Sequence, residues 1–403
     1  MKRKKEAQLD MDLEQEQEQP KKRSRLLNLV MRLLALLVTI ALILGGLFLV
    51  LNWEEYNLDA IKRKIALHSV RTGESGQAEP FTHGGGNDVA FAYLNDGILM
   101  NSTTGVHYYT FSGQQYAEHV QTMEYPVLTA SSTAGVAYDA GGQTLRLYRE
   151  GEEAFSLQLK GDGDLLSARV NESGWLAVTA QESGYKGAVT VYDDHHQRVF
   201  RLNRSSTFVV DAMVSPDCKS VAVITMGQQD GRFESQLLVY QLNSEEPVAQ
   251  VSLGGQTALE LDYEQGQIWV LCESQLVSIS TADWSEHIYS FGSRYLKGCS
   301  LGGDDFALLL FGGYRSGSAN QAVILSGQGQ ETGELEVQGQ LLSFDAAGHY
   351  FSLLSGGTLR IYTSQLELYR SLEDVQGARY TALSKNASAL LADRQQAWMY
   401  IPE

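Results

Sequence analysis

The chain has 403 residues, with 31 Lys and Arg against 48 Asp and Glu, for a formal charge of −17. Residues 1–32 hold nine basic and six acidic side chains, which leaves 22 − 42 = −20 for the remainder; so acidic a body excludes binding of nucleic acid or other anionic polymers by bulk electrostatics. Cys218, Cys272 and Cys299 are odd in number and widely spaced, and about 340 residues can bury a full core unaided, so no disulfide framework is implied.

Residues 1–32 begin with a basic run (Lys2 to Lys5), pass through a Glu/Gln tract (Glu14 to Gln19) and end in a second basic cluster at Lys21, Lys22, Arg23 and Arg25. They lack the apolar side chains for a core and are expected to be a disordered cytoplasmic tail, its basic clusters resting on anionic lipid. Leu33 to Leu51 is nineteen residues without a charge. As a helix it reaches ~28 Å, the thickness of a bilayer's hydrocarbon, and it is predicted to be a transmembrane helix. It is longer than a signal-peptide core and no small-x-small cleavage site follows it, and no Cys precedes Cys218 to carry a lipid. The basic flank before the span, with Glu54 and Glu55 after Trp53, predicts a cytoplasmic N-terminus and a single-pass protein of the cell membrane whose C-terminal part is extracytoplasmic. Residues 52–85 are expected to be a linker that also supplies a ring-closing strand, with Ile65 to Val70 the best candidate for it.

From residue 86 to 403 one phrase recurs about every forty residues: apolar strand, tight turn, apolar strand, and a third strand that usually ends in Tyr. The first turns are Asn95-Asp96-Gly97, Thr133-Ala134-Gly135, Glu172-Ser173-Gly174, Ser215-Pro216-Asp217, Glu264-Gln265-Gly266, Gly303-Asp304-Asp305, Ala346-Ala347-Gly348 and Ser384-Lys385-Asn386. Gly, Asn and Asp supply the positive φ or the side-chain cap that such turns need. The third strands close at Tyr108, Tyr148, Tyr192, Tyr240, Ile279, Leu325, Tyr362 and Tyr400. The repeat predicts an all-β fold, an eight-bladed β-propeller preceded by one N-terminal transmembrane helix; seven blades is the alternative if the unit ending at Ile279 or Leu325 fails to form one.

No motif for chemistry completes itself. His83-Gly84-Gly85-Gly86 lacks the Gly-x-Ser-x-Gly elbow that an oxyanion loop serves. Asp193-Asp194-His195-His196 points alternately to opposite faces and reads as a solvated turn. Asp162-Gly163-Asp164 lacks the remaining ligands of a calcium loop, and Gly327-Gln328-Gly329 with Gly333 misses the dinucleotide fingerprint. Asp304-Asp305 and Glu245-Glu246 sit in turns, and the abundant Tyr fall at strand ends, where they pack between blades. The insertions Met226 to Ser235 and Gly312 to Asn320 break the repeat and are the candidate interaction loops, with Arg232, Phe233, Tyr314 and Arg315 the residues best placed to meet a partner.

The apolar run Leu33 to Leu51 followed by blades such as Ser215-Pro216-Asp217-Cys218-Lys219-Ser220-Val221-Ala222-Val223 resembles the single-pass propeller proteins of Firmicutes grouped as domain of unknown function 5711, over nearly the whole chain. The resemblance implies an anchored propeller of the WD40-like and quinoprotein-like superfamily and brings no active-site residues. Trp175, Trp269, Trp284 and Trp398 do not recur at one blade position as the docking tryptophans of quinoprotein dehydrogenases do, so no cofactor is implied. Tyr192-Asp193 occupies the third-strand position of tryptophan-aspartate repeats, without their Gly-His element. The outer-membrane assembly propeller lipoprotein is similar in blade number and differs in anchor. The expectation is a non-enzymatic protein-interaction scaffold of the bacterial cell envelope, bound to the lipid bilayer through Leu33 to Leu51. A sensor or binding module for a small envelope ligand, such as a sugar or peptide, is the alternative.

Overall fold

The computed structural model describes residues 30–40, 58–85, 88–161 and 163–402. The chain divides into two units, 1–58 and 59–403. In the first, residues 30–40 form a helix, α1. The tail 1–29, residues 41–51 of the expected span and Trp53 lie outside the described residues, as do Gly86 and Asp162 of two motifs weighed above. Among the described residues no helix is long and apolar enough to cross a membrane.

Helix α2 (Leu58–Ala66) begins at the last residue of the first unit and runs into the second, which continues as eight four-stranded antiparallel sheets. Blade 1 spans residues 89–120, blade 2 126–158, blade 3 165–204, blade 4 208–254, blade 5 258–290, blade 6 295–336, blade 7 341–372, and blade 8 380–400 plus Phe81–Thr82. Every predicted turn joins the first and second strands of a blade, and every predicted closing residue lies on a third strand. The units ending at Ile279 and Leu325 are blades like the rest, so the count is eight.

Second and third strands are buried on both faces because each blade packs its two sides against its two neighbours. The core accordingly divides into eight apolar clusters, each shared by adjacent blades: Leu99, Tyr108 and Tyr148 join blades 1 and 2, for example, while Trp269, Leu301 and Phe311 join blades 5 and 6. The cluster holding Ala78, Ile98, Leu390 and Met399 joins blade 8 to blade 1 and closes the ring.

Closure differs in detail from expectation. Blade 8 takes its outer strand from Phe81–Thr82, paired with Ala397 and Gln396. The amide of Ala78 donates to the Met399 carbonyl at 2.8 Å, and Trp398 Nε1 donates to Gln77 Oε1 at 3.1 Å. Ile65 to Val70 does not form the strand: Ile65 and Ala66 end α2 and residues 67–69 turn. The apolar positions 58, 61 and 65 follow the helical period, among good helix formers. Gly113 (φ +83°) lets the closing strand approach, since a Cβ there would meet Phe81 at 2.3 Å. α2 is fixed to blades 7 and 8 through its polar side: Arg63 Nη1 donates to the Asn386 carbonyl at 2.6 Å, and the Tyr350 hydroxyl donates to Asp59 Oδ2 at 3.2 Å.

Candidate functional site

Because the strands alternate in direction, the turns joining first to second and third to outer strands gather at one end of the ring. Turns joining second to third strands, and one blade to the next, gather at the other. The first end is stitched shut. Asn95 N donates to Ser132 O at 2.8 Å (blades 1 and 2), Thr133 Oγ1 to Glu172 O at 2.9 Å (2 and 3), and Asn171 Nδ2 to Ser215 O at 3.0 Å (3 and 4). Ser220 Oγ bonds the Tyr263 hydroxyl at 3.0 Å (4 and 5), Asp305 N donates to Glu264 Oε2 at 3.3 Å (5 and 6), and Asp304 N to Gly348 O at 2.7 Å (6 and 7). Leu383 N donates to Asp345 Oδ2 at 2.7 Å (7 and 8), and Tyr93 OH bonds Ser388 Oγ at 3.2 Å (8 and 1). Lys385 of blade 8 then reaches Glu172 of blade 3 at 3.0 Å and Asp304 of blade 6 at 3.3 Å, two ion pairs between non-adjacent blades. This end is the closed face.

Inward from it runs a polar axis. In blades 3 to 7 the first strand carries a register shift against the second, between Val209 and Asp211 in blade 4 and between Ala258 and Glu260 in blade 5, for example. Such bulges re-aim side chains. Arg169 Nε donates to Asp211 Oδ2 at 2.7 Å and Arg169 Nη2 lies 3.7 Å from Glu260 Oε1, so one cation serves acids from blades 4 and 5. Glu260, Asp262 and Glu264 alternate along one strand and therefore share a face. Burial pushes Asp262 up to about 7 against the opposing charge of Arg169, and pushes Glu264 up to about 8 with help from Asp262. Asp345 rises to about 6 through burial, opposed by the amides of Leu383 and Ala346. Burial and the charges of Glu260 and Asp262 push the Cys299 thiol well above its usual range.

These shifts have a sign. Carboxyls whose pKa is higher folded than unfolded bind more protons in the native state, so they make stability fall as pH rises from about 4 through their folded values. The melting temperature is expected to drop by about 3–5 °C between pH 5 and pH 8.5, and Asp262→Asn to make that slope shallower. Repulsion in so acidic a body works in the same direction, and the variant separates the two contributions. Calorimetry across this range decides; a melting temperature that climbs steadily with pH contradicts the assignment.

The other end is the open face. Of fourteen exposed large apolar side chains among the described residues of the blades and their connections, nine lie there (Val120, Tyr125, Tyr185, Phe208, Phe233, Leu259, Tyr295, Tyr314 and Leu342) and the other five sit on outer strands. Both sequence-predicted insertions join second to third strands and so rise from this face, on blades 4 and 6. Met226 to Ser235 is a regular hairpin rather than a loop: strands Ser220–Gln229 and Arg232–Gln241 pair out to Gln229 and Arg232. Asp230 (φ 51°) and Gly231 (φ 77°) turn it with two left-handed residues, the geometry that matches strand twist. Arg232 is exposed and Phe233 is 44% exposed. Residues 313–320 do form a loop, with Tyr314 80% exposed and the Arg315 carbonyl accepting from Lys297 Nζ at 2.8 Å. Blade 5, whose corresponding turn is only Glu273 and Ser274, lies in sequence between these raised blades. A cavity of about 700 Å³ opens between blades 3 and 4, lined by Leu166, Tyr185, Phe208, Val210 and Met226, with Lys186 Nζ 5.0 Å from the Phe208 ring centre.

The remaining motifs have structural roles. His83 is buried, its Nε2 3.1 Å from the Asp393 carbonyl, and it pins the closing segment. Ligand atoms of Asp193, Asp194 and His195 lie within 4.8 Å of one another, but Asp193 Oδ1 accepts the amides of His195 and Gln197, which makes the group an exposed capped turn. Gly329 turns blade 6 toward its outer strand and precedes no helix. Missed in the sequence were the axial acids, whose signal was the alternation Leu259-Glu260-Leu261-Asp262-Tyr263-Glu264.

A family described as "Family of unknown function (DUF5711)" matches residues 79–368, and the chain belongs to it. No curated protein matches the sequence. Among solved structures, the C-terminal WD40 domain of Sif2 is 12% identical, covering 81% of this chain and 99% of its own, with a TM-score of 0.57. The Dos1 propeller is 12% identical over 80% of this chain and 95% of its own, with a TM-score of 0.52. BamB from Moraxella catarrhalis is 13% identical over 80% and 99%, with a TM-score of 0.49. At such identities the likeness is one of fold.

Proposed function

We propose that this member of the DUF5711 family is a protein-interaction scaffold of the bacterial cell envelope, held at the membrane by Leu33 to Leu51 with the propeller outside the cytoplasm. The observation that carries the reading is the sorting of exposed apolar side chains onto the open face, while the closed face is spent on hydrogen bonds between its own blades. Aromatic and Arg side chains raised on a rigid frame are the composition of interface hot spots, and the cavity beside Phe208 can seat one anchoring side chain of a partner. That cavity also supports the second reading, a site for a small envelope ligand.

A membrane-impermeant crosslinker applied to intact cells, followed by purification of the full chain, tests location and role together. Wild type is expected to capture a defined set of proteins that is lost in the double variants Arg232→Glu/Phe233→Ser and Tyr314→Ser/Arg315→Glu. Lys219→Glu on the closed face should retain the set. Reaction of the propeller only after lysis overturns the location. An unchanged or empty partner set, with ligand-induced thermal stabilisation of the purified protein, transfers the function to the small-ligand reading.

A further inference from the structure

Helix α2 is inside out. At 3.6 residues per turn, Asp59, Arg63 and Leu67 fall on one side and Leu58, Ile61 and Ile65 on the other. The propeller takes the first side: Arg63 is 3% exposed and holds Asn386 and Tyr369, while Asp59 accepts from Tyr350. The apolar side faces out, with Leu58 71%, Ile61 44% and Ile65 69% exposed. Lys62 and Lys64, both exposed, flank that stripe on its two sides.

We propose that α2 is an interfacial helix that lies on the lipid bilayer, with Ile61 and Ile65 among the acyl chains and Lys62 and Lys64 reaching the headgroup phosphates. A stripe of aliphatic side chains bordered by lysines is the pattern of helices that lie in that plane. Connectivity supplies the occupant. Only residues 52–57 separate α2 from the end of the uncharged run at Leu51, and six residues span at most about 21 Å. The inference therefore rests on the anchor reading given above.

The test uses the full chain in vesicles of phosphatidylcholine and phosphatidylglycerol, with Cys218→Ser and Cys299→Ser and an environment-sensitive fluorophore on Ile65→Cys. Lipids carrying a nitroxide just below the headgroup are expected to quench about half of that emission. The same label on Val248→Cys, 46% exposed on the outer strand of blade 4, should be unaffected. Ile61→Glu should relieve the quenching at position 65 with no change in melting temperature. Protein that floats with vesicles while position 65 stays unquenched overturns the interfacial helix alone. Failure to float overturns the anchor and the helix together. Emission that is blue-shifted but unquenched, and that depends on protein density, assigns the stripe to a second copy and overturns the lipid.

Discussion

A chain beginning at Asn87 should lose the cooperative melting of the full protein and aggregate. Such a truncation removes Phe81 and Thr82, the outer strand of blade 8, and with them Leu67 and Ala78 from the cluster that joins blade 8 to blade 1. Burial of these apolar side chains contributes about 4–7 kcal/mol, comparable to the whole net stability of many domains. It also leaves Gln396 to Tyr400 as an unpaired edge, a template for association between chains. A milder variant addresses the same joint in the full chain. Gly113→Val places a branched side chain at φ +83° and drives a Cβ to 2.3 Å from Phe81, so it should lower the melting temperature by about 6 °C or more. Equal melting of the truncated and full chains would show that the ring closes by some other contact.

The same joint shows where sequence reading stops. Eight blades were legible because each repeats a turn with a steric demand and a third strand with a large terminal residue, and eight copies of a weak signal reinforce one another. Two residues, Phe81 and Thr82, make the closing strand, which is too short for any period to show, whereas Ile65 to Val70, β-branched at both ends, places Ile65 and Ala66 at the end of a helix. On the open face, Arg232, Phe233, Tyr314 and Arg315 could be singled out because their segments interrupt the repeat. That residues 226–235 form a ladder was hidden by their polarity, since a hairpin raised into solvent has no apolar face to alternate. The axis was missed for a different reason. Glu172, Asp304 and Lys385 meet across three blades, a proximity that only ring closure creates, and Arg169 finds Asp211 and Glu260 in the same way.

Arg169 should be the most costly single side chain on that axis to remove. Burial opposes its charge, but Asp211 and Glu260 more than offset this and hold its pKa above the ordinary guanidinium value. Its partner Asp211 has a side chain 5% exposed, and Ser167 Oγ at 2.5 Å and the Ala212 amide at 2.9 Å both donate to its Oδ1, while its Oδ2 accepts from Arg169. Arg169→Met therefore leaves a buried carboxylate facing Glu260 and Asp262 with nothing to balance it, and is expected to cost about 3–5 kcal/mol. Removing both partners has a different outcome, because an apolar pair of similar volume has no charge to desolvate. Arg169→Met/Asp211→Leu should recover most of the loss, leaving a coupling energy of at least about 2 kcal/mol in the double-mutant cycle. Denaturant unfolding of the four proteins measures it. If the two single changes and the double change simply add, the pair is not what organises the axis, and the bulged first strands hold these side chains in place without it.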